Sequence, residues 1–344
     1  MIYFVSTQKE LFDSDVYTMI TPEDSIKMME SWSIIQYDSE PEGRDPHLCR
    51  LLCMQFGDIK GENQIVVDAT TISPLLYKDI LESRKLVGQN IKFDLQFLYN
   101  YGIIPRNVYD TMIVEQLLHL GYPSNVISYS LRSIAARRLN IDIDKTVRGE
   151  IVWRGLDEEV IKYAAGDVTY LGDIANSQLK DVKKQGLKKA VQIECNFIPA
   201  IAYLEWCGIH LDADKWKAKM KKDKENLEKA KKALDDFIIN DERFKKYIYI
   251  NNQGSLFDGF DLTPKCTINW SSSQQVVKIA KELGFNTEVK DKKTGEDKDS
   301  VLEKHLKTQK GINDEFLKLY FNYQEYAKVV SSFGQGHLNA INPI

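Results

Sequence analysis

The stretch SWSIIQYDSE, residues 31–40, is an apolar run that ends in two acidic residues. Side chains two positions apart in an extended chain point to the same face, so Asp38 and Glu40 are predicted to project together from a strand end. Two further apolar runs follow, HLCRLLCMQF and NQIVVDAT, and turn-rich links separate the three. This pattern predicts a meander of three antiparallel strands.

Beyond the meander, strand-like and helix-like segments alternate. ISPLLYKDILES is helix-like, KLVGQN combines a strand with a turn, and NIKFDLQFLYNYG is a second helical pattern that Asn90 is suited to cap. VYDTMIVEQLLHL indicates a strand followed by a helix, with Asp110 as its N-cap. An apolar stripe at 3–4 spacing predicts one long helix over residues 157–185. The first half is therefore predicted to be an α/β domain.

Length and composition set the domain organisation. The chain has 344 residues, of which 43% are hydrophobic, which is enough for two domains with separate cores. Near residue 195 the composition becomes Lys-rich and helical, so we place the domains at 1–195 and 196–344. The formal net charge of −4 does not exclude nucleic acid, because clustered basic side chains make the electrostatic footprint.

Cysteine usage and the N-terminal sequence favour a cytoplasmic protein. The five cysteines form no CxxC pair and the five histidines are scattered, so we expect reduced thiols and no zinc site. MIYFVSTQKELFDSD has no basic leader followed by an apolar stretch, and no long apolar run follows. We therefore expect neither export nor a membrane span, and a location in the cytoplasm of a bacterium or of a phage-infected cell.

Three motifs place acidic side chains at the ends of predicted elements. Asp38 and Glu40 share a strand end, and Asp94 lies in the first turn of a helix. Tyr163 and Asp167 share one helix face at i, i+4 spacing. Each motif alone also has an ordinary explanation. A D-x-E pair such as Asp38 and Glu40 arises by chance among 50 acidic residues. Asp94 can be a solvated residue after an N-cap, and Tyr163 and Asp167 can be a solvated surface pair. Together, four carboxylates can hold two divalent ions roughly 3.5–4 Å apart for phosphodiester hydrolysis, and oxygen ligands favour Mg²⁺ or Mn²⁺.

The ordered motifs resemble the proofreading domain of family A DNA polymerases, a member of the four-carboxylate, tyrosine-type 3′→5′ exonuclease superfamily. The resemblance covers residues 15–185 and is carried by DSE, VGQNIKFDLQFL, YDTMIVEQLL and YAAGDVTYL. It implies a ribonuclease H-like fold, in which a mixed five-stranded sheet is flanked by helices. It also implies release of nucleoside 5′-monophosphates from DNA 3′ ends.

The resemblance implies a role for each residue of the acidic set. Asp38 would bridge both ions, and Glu40 and Asp167 would complete the site of the first ion. Asp94 would hold the second ion, largely through water. Tyr163 would position the attacking water without acting as the base.

Four further positions concern the substrate strand. Gln89 and Asn90 would contact the terminal nucleotides of a frayed end. Lys145 stands where such domains carry a lysine, although a solvated lysine explains it equally well. Family members often place an apolar wedge between the last two bases where this sequence has Arg44, so the wedge stays unassigned.

The second half resembles the start of the polymerase domain and its helical thumb. The resemblance is carried by ECNFIPAIAYLEWCGIHLD, INWSSSQQVVKIAKELGF, KKTGEDKDSVLEKH and NYQEYAKVVSSFGQGHLNAINP, in the family's order. Gln324 replaces a usual arginine and Val330 a common lysine, so weaker phosphate gripping is expected. KWKAKMKKDKENLEKAKKAL is either a solvated lysine face or a DNA contact. Palm and fingers are absent, so this chain alone is not expected to synthesise DNA, and it is either a fragment or one half of a split polymerase.

Three hypotheses about function remain open. The first is a proofreading exonuclease that acts on single-stranded DNA 3′ ends. The second is an RNA-processing exonuclease such as ribonuclease D, against which the thumb-like half argues. The third is a non-catalytic subunit that grips primer–template DNA for a separate palm-and-fingers chain, against which the intact carboxylate set argues.

Overall fold

The computed structural model describes residues 1–7, 14–122, 126–143, 151–250, 263–291 and 295–341. The contacts among these residues separate two units, Met1–Ile209 and His210–Ile344. In the described part of the chain, no helix combines the length and the hydropathy that a membrane span requires.

The first unit is built on one mixed sheet. Its strands are β1 (Ile2–Val5), β2 (Thr18–Met19), β3 (Ile34–Pro41), β4 (Leu51–Asp58), β5 (Gln64–Asp68), β6 (Lys85–Gly88) and β7 (Val108–Asp110). They lie in the order β2-β1-β5-β4-β3-β6-β7. The predicted meander is confirmed, since β4 pairs antiparallel with both β3 and β5, whereas β6 and β7 extend the sheet in parallel.

The sheet has seven strands and not the predicted five. The additional strands lie at one edge, where β1 pairs parallel with β5 and the two-residue β2 pairs parallel with β1. Parallel neighbours are joined by long connections, so no local turn signal marks their pairing in the sequence. The ribonuclease H-like class, with a mixed sheet and flanking helices, is as predicted.

Helices cover both faces of this sheet. They are α1 (Pro22–Glu30), α2 (Lys78–Ser83), α3 (Lys92–Tyr99), α4 (Thr111–Leu118), α5 (Leu131–Leu139), α6 (Ile151–Arg154), α7 (Glu158–Asp167), α8 (Leu171–Gln185) and α9 (Lys188–Cys207), with a 3₁₀ turn at Pro74–Tyr77. Alternate residues of a strand face opposite ways. Accordingly, Ile65 and Val67 pack with α1, α2, α3 and α9, whereas Val66 packs with α7.

The predicted single helix over residues 157–185 is wrong, because the chain breaks between α7 and α8. The N–H group of Gly172, in the first turn of α8, donates to Oε1 of the buried Gln36 on β3 at 2.6 Å. A Cβ atom at Gly172 would lie 2.1 Å from the carbonyl oxygen of Ile59. The break lets α8 approach the sheet at this distance, and a periodic apolar stripe does not reveal it.

The two units divide between Ile209 and His210, fourteen residues beyond the boundary expected from composition. Helix α9 explains this difference, because it packs on the first unit along its whole length. Val191 and Cys195 join one core cluster of that unit, and Ile198 and Ala202 join another. The Lys-rich composition therefore begins after the contacts of the first unit end.

The second unit is mostly helical, as predicted. Its elements are α10 (Ala213–Ile239), β8 (Ile248–Ile250), β9 (Pro264–Cys266), α11 (Ser273–Glu282), β10 (Glu288–Lys290), β11 (Asp297–Asp299), α12 (Glu303–Leu306), α13 (Asp314–Ser332) and α14 (Gln335–Asn339), with 3₁₀ turns at Glu242–Tyr247 and Lys307–Gln309. Leu234 and Ile238 of α10 and Phe316 and Tyr320 of α13 belong to one buried core. The strands form two small antiparallel pairs, β8–β9 and β10–β11.

Candidate active site

The end of β3 and the end of α7 bring three carboxylates together. Asp38 and Glu40 project from the same face of β3 because they are two residues apart. Asp167 is the last residue of α7 and is 5% exposed. One carboxylate oxygen from each of these residues lies within 4.8 Å of the other two. The convergence predicted from three distant motifs is therefore present for these side chains.

Small side chains allow α7 to lie close to the sheet. Ala164 and Ala165 of α7 are buried against Cys53 of β4 and Val66 of β5. Cys53 is the register partner of Glu40 on the neighbouring strand. Ala164 and Ala165 thus set the distance between α7, which carries Asp167, and the strands β4 and β5.

Asp94 reaches the site from α3 and lies outside the group of three. Its side chain is 3% exposed, and its Oδ1 accepts a hydrogen bond from the Ser39 hydroxyl at 2.7 Å. Ser39 alternates with Asp38 and Glu40 along β3, so its side chain points to the other face of the strand. The end of β3 therefore carries Asp38 and Glu40 on one face and contacts Asp94 from the other face.

The electrostatic field of the site is negative. Burial raises the pKa of Asp94 to about 8; the hydrogen bond from Ser39 opposes this shift, and the charge of Glu40 adds to it. Burial, then the charges of Glu40 and Asp38, hold the pKa of the Cys53 thiol well above its usual value. Carboxylates crowded in this way favour a cation among them.

A cleft of about 310 Å³ joins the acidic residues to Tyr163. Tyr163 and Asp167 lie one turn apart on α7, and both line the cleft together with Asp94. The described lining residues are Asp38, Ser39, Glu40, Gln89, Asn90, Phe93, Asp94, Met112, Tyr129, Ser130, Leu131, Tyr163 and Asp167. All five residues predicted for the chemistry therefore border one space.

Asn90 lines the cleft but does not cap α3 as predicted. The N-cap position is Ile91, and Asn90 adopts a left-handed conformation with φ 57°. The carboxylate of Asp110 accepts from the backbone N–H groups of Asn90 at 3.1 Å and Ile91 at 2.9 Å. It also accepts from Met112 at 2.8 Å, which confirms Asp110 as the N-cap of α4. Asp110 thus fixes the turn that precedes Asp94.

Gln89 lines the cleft with its side-chain amide already engaged. Its Nε2 donates to the carbonyl oxygen of Tyr129 at 2.8 Å, and its Oε1 accepts from the Thr111 hydroxyl. Gln89 therefore joins the turn after β6 to the residues before α5. A contact with nucleotides, predicted for Gln89 and Asn90, stays a prediction.

Six cleft residues were not predicted as site residues from the sequence: Ser39, Phe93, Met112, Tyr129, Ser130 and Leu131. Met112 and Leu131 lie in the first turns of α4 and α5, whose N-caps are Asp110 and Ser130. A sequence signal existed, since helix starts that follow parallel strands gather at one sheet edge. Arg44 is exposed and is not among the described residues of the cleft lining. Lys145 lies outside the described residues.

The donor set of the site fits a hard divalent cation. Asp38, Glu40 and Asp167 offer carboxylate oxygens, the ligands that Mg²⁺ and Mn²⁺ prefer. The neighbouring Cys53 is not in this group of ligand atoms, and its sulfur accepts a hydrogen bond from Gln55 Nε2 at 3.1 Å. The site is therefore built for oxygen coordination.

Known proteins with similar sequence or structure agree with this geometry. Residues 15–183 match the family model described as 3′-5′ exonuclease, the exonuclease domain of DNA polymerase A. DNA polymerase I of Aquifex aeolicus is 32% identical over 220 residues, which cover 57% of this chain and 36% of that protein. Ribonuclease D of Haemophilus influenzae is 34% identical over 107 residues, which cover 31% of this chain and 26% of that protein.

A solved structure extends the comparison to nearly the whole chain. The POL domain of Pol1 from M. smegmatis, in complex with DNA primer-template and dNTP, aligns with 98% of this chain and 51% of its own, with a TM-score of 0.65. The sequence identity of 14% means that this match shows a shared fold alone. The chain spans about a third of the length of the DNA polymerase I and about a quarter of the ribonuclease D.

The fold and the acidic site together define a ribonuclease H-like 3′–5′ exonuclease domain. Within this class, residues 15–183 match the exonuclease domain of family A DNA polymerases, in agreement with the resemblance found in the sequence motifs.

Proposed function

We propose that this chain is a 3′→5′ exonuclease that removes nucleoside 5′-monophosphates from DNA 3′ ends, as the editing part of a family A DNA polymerase. The observation that carries the proposal is the convergence of Asp38, Glu40 and Asp167 within 4.8 Å, in a cleft that Asp94 and Tyr163 also line. Three distant segments of the chain supply these groups, and no other task is apparent for so much negative charge.

In this proposal the four carboxylates would hold two divalent ions, Mg²⁺ or Mn²⁺. Asp38, Glu40 and Asp167 would hold the first ion, and Asp38 and Asp94 would hold the second. When bound, such ions lower the pKa of water and stabilise the charge that develops on the phosphate and the leaving oxygen. The buried position of Asp94, at 3% exposure, keeps its carboxylate fixed for this task.

The hydroxyl of Tyr163 orients the attacking water. Tyr163 is half-buried on α7, one turn before Asp167, and it lines the cleft. A tyrosine hydroxyl stays protonated at neutral pH and donates a hydrogen bond, which suits orientation and not proton abstraction. Orientation of a reactant is a recognised contribution to rate.

Apolar and aromatic side chains of the cleft accept the terminal bases. The cleft lining includes four apolar or aromatic residues besides the carboxylates: Phe93, Met112, Tyr129 and Leu131. Stacking on aromatic rings binds any base, because every base has a π-face. A single-stranded or frayed 3′ end exposes such faces, which makes it the substrate that the cleft fits best.

Two comparisons support DNA as the substrate. The match to a DNA polymerase I extends over 220 residues, which is longer than the segment 15–183 and therefore reaches beyond the exonuclease domain. The fold of nearly the whole chain is that of a polymerase structure. The helical second unit would then contact primer–template duplex, as family A thumbs do.

A second candidate is an RNA 3′ exonuclease. The observation in its favour is the 34% identity to a ribonuclease D over 107 residues, which is similar to the identity shared with the DNA polymerase I. The carboxylate chemistry would be the same, and the nucleic acid would differ.

Matched substrates separate these two candidates. The full chain is incubated with Mg²⁺ and with DNA or RNA oligonucleotides of one sequence, single-stranded or carrying a frayed 3′ end, and released nucleotides are quantified. The proposal expects 5′-monophosphates from DNA, faster than from RNA, and no release when EDTA removes the metal. Faster trimming of RNA would favour the second candidate, and inertness on both would refute exonuclease activity.

A further inference from the structure

Ser39 lies between Asp38 and Glu40 on β3. Its side chain projects from the other face of that strand and contacts a third acidic residue, Asp94. Its side chain is 4% exposed, and its hydroxyl donates to Oδ1 of Asp94 at 2.7 Å. The Ser39 hydroxyl thus donates to a carboxylate that lies 55 positions away in the sequence.

We propose that Ser39 is a positioning residue that orients the Asp94 carboxylate for the second divalent ion, an inference that rests on the proposed function. The donor and two of the ions' other ligands, Asp38 and Glu40, belong to the end of β3. Movement of α3 relative to β3 would therefore stretch the Ser39–Asp94 contact before it altered the spacing of the acidic cluster.

The surroundings of Asp94 explain why it needs such a donor. Asp94 follows an irregular turn in which Asn90 has φ 57°, and α3 has no side-chain cap. A carboxylate on a short helix after such a turn has two rotatable bonds, so its plane depends on the groups that contact it. A hydrogen bond from a rigid strand to one oxygen fixes that plane, so the other oxygen keeps one direction.

The chemistry of β3 supports a specific role for the hydroxyl. A serine on the buried face of a central strand is otherwise unfavourable, because a buried hydroxyl needs a partner and contributes little to packing. The neighbours of Ser39 on that face are apolar or aromatic: Ile35 and Tyr37 are fully buried. The partner found for Ser39 is a carboxylate of the site.

The test compares three variants of the full chain: Ser39→Ala, Ser39→Thr and Ser25→Ala. Ser25 is a matched control, since it is a fully buried serine whose hydroxyl donates to the Pro22 carbonyl at 2.6 Å, and it is not among the cleft residues. Mn²⁺ binding is titrated by electron paramagnetic resonance, which needs no catalytic activity. Melting temperature, kcat and KM on a frayed DNA oligonucleotide are measured in parallel.

Of the two Mn²⁺ ions that the chain binds, we expect Ser39→Ala to lower the affinity for the more weakly bound ion by about 10–100-fold. This is the usual cost of losing a group that orients a metal ligand. The tighter ion should bind as in the unaltered chain. The value of kcat should fall with little change in KM, and Ser39→Thr, which keeps the hydroxyl, should restore both ion binding and kcat. Ser25→Ala should change the melting temperature without changing ion binding.

Unchanged binding of both ions and unchanged kcat in Ser39→Ala would overturn the inference. Equal weakening of both ions by Ser39→Ala and Ser25→Ala would overturn it too, because it would indicate a general loss of structure. If Ser39→Ala does not fold, Ser39→Cys, which keeps the volume with a weaker donor, is measured against the same expectation. An unaltered chain that binds two Mn²⁺ ions without trimming DNA would refute the proposed function and leave the Ser39 inference to the binding data.

Discussion

At the scale of single residues, the site depends on side chains whose neighbours hold them in place. Asp94 is held by Ser39, and the turn before Asp94 is held by Asp110. Tyr163 is held by its position on α7, one turn before Asp167. Asp94 is thus supported by a neighbouring strand and Tyr163 by its own helix, so these two groups can be altered one at a time.

Tyr163→Phe removes the hydroxyl and keeps the ring. We expect kcat for DNA trimming to fall by about 10²-fold, the scale of losing one oriented group at a reacting centre, while KM and melting temperature stay within error. The measurement is steady-state release of nucleotides with Tyr170→Phe as control, since Tyr170 follows α7 and packs into the core away from the cleft. Equal rates for both variants would remove Tyr163 from the chemistry.

Glu115 shows how a buried charge supports the fold away from the cleft. It is fully buried on α4 and binds Arg137 and Arg138 of α5, with its Oε1 3.0 Å from Arg137 Nε. Gln178 of α8 donates to its Oε2 at 2.9 Å. Burial alone would raise the pKa of Glu115, but the hydrogen bonds from Gln178 and the two arginines lower it below its usual value.

Glu115→Gln therefore has a pH-dependent cost. Because the folded pKa is below the unfolded value, the stability that Glu115 contributes is fully present above pH 4.5 and is lost as pH falls through the folded pKa. We expect the variant to lose about 2–4 kcal/mol of unfolding free energy at pH 7, and less at pH 3. Urea unfolding at both pH values checks this, with the exposed Glu30→Gln as control. A loss that is the same at both pH values would contradict the ionic contribution.

At the scale of elements, the break between α7 and α8 sets where Asp167 lies. Asp167 ends α7, and Gly172 lies in the first turn of α8 against the carbonyl oxygen of Ile59. Gln36 connects this start to β3, two residues before Asp38 on the same face. The contact between Gly172 and the buried amide of Gln36 thereby positions Asp167 relative to β3, the strand that carries Asp38.

Gly172→Ala and Gly166→Ala test this element with one chemical change at two sites. A Cβ at Gly172 would lie 2.1 Å from the Ile59 oxygen, whereas a Cβ at Gly166 meets nothing within 4 Å. We expect Gly172→Ala to cost about 2–3 kcal/mol of unfolding free energy, the upper range for overpacking. We expect Gly166→Ala to gain about 0.5–1 kcal/mol, because alanine is the better helix former. Thermal unfolding decides, and equal effects of both changes would contradict the close approach.

The sequence predicted elements better than it predicted their ends. The DSE strand, the α3 helix and the Asp110 cap followed from periodicity and residue preference, which act locally. The α7–α8 break and the left-handed Asn90 did not, because a tertiary contact determines each: the Ile59 oxygen for one and the Asp110 carboxylate for the other. Of the six further cleft residues, Ser39 lies on β3 beside two predicted carboxylates, and the other five depend on which helix starts meet at the sheet edge.

At the scale of the whole molecule, the first unit ends with α9 and not with the change in composition. Ile198 and Ala202 are buried in its core, and the Tyr99 hydroxyl donates to the Pro199 carbonyl at 3.1 Å. Lys92 of α3 pairs with Glu205 at 2.7 Å. A composition window registers the lysines of α10 but not the packing of the helix before it.

Chains ending at residue 209 and at residue 195 should therefore differ in stability. Removing residues 196–209 exposes core that Ile198 covers, and we expect a loss of at least about 3 kcal/mol, one large side chain and its neighbours. Urea unfolding of the two fragments measures the difference. Equal midpoints and equal slopes would contradict the assignment of α9 to the first unit, and would support the boundary expected from composition.

The most direct test of the exonuclease site is Mg²⁺-dependent trimming of a frayed DNA 3′ end by the unaltered chain and by Asp38→Ala. Asp173→Ala, an exposed carboxylate on α8, is the matched control. We predict release of nucleoside 5′-monophosphates by the unaltered chain and the control, and a fall of more than about 10²-fold in Asp38→Ala, as expected for losing one electrostatic contact to the transition state. Equal rates for the unaltered chain and Asp38→Ala, or no release by either, would contradict it.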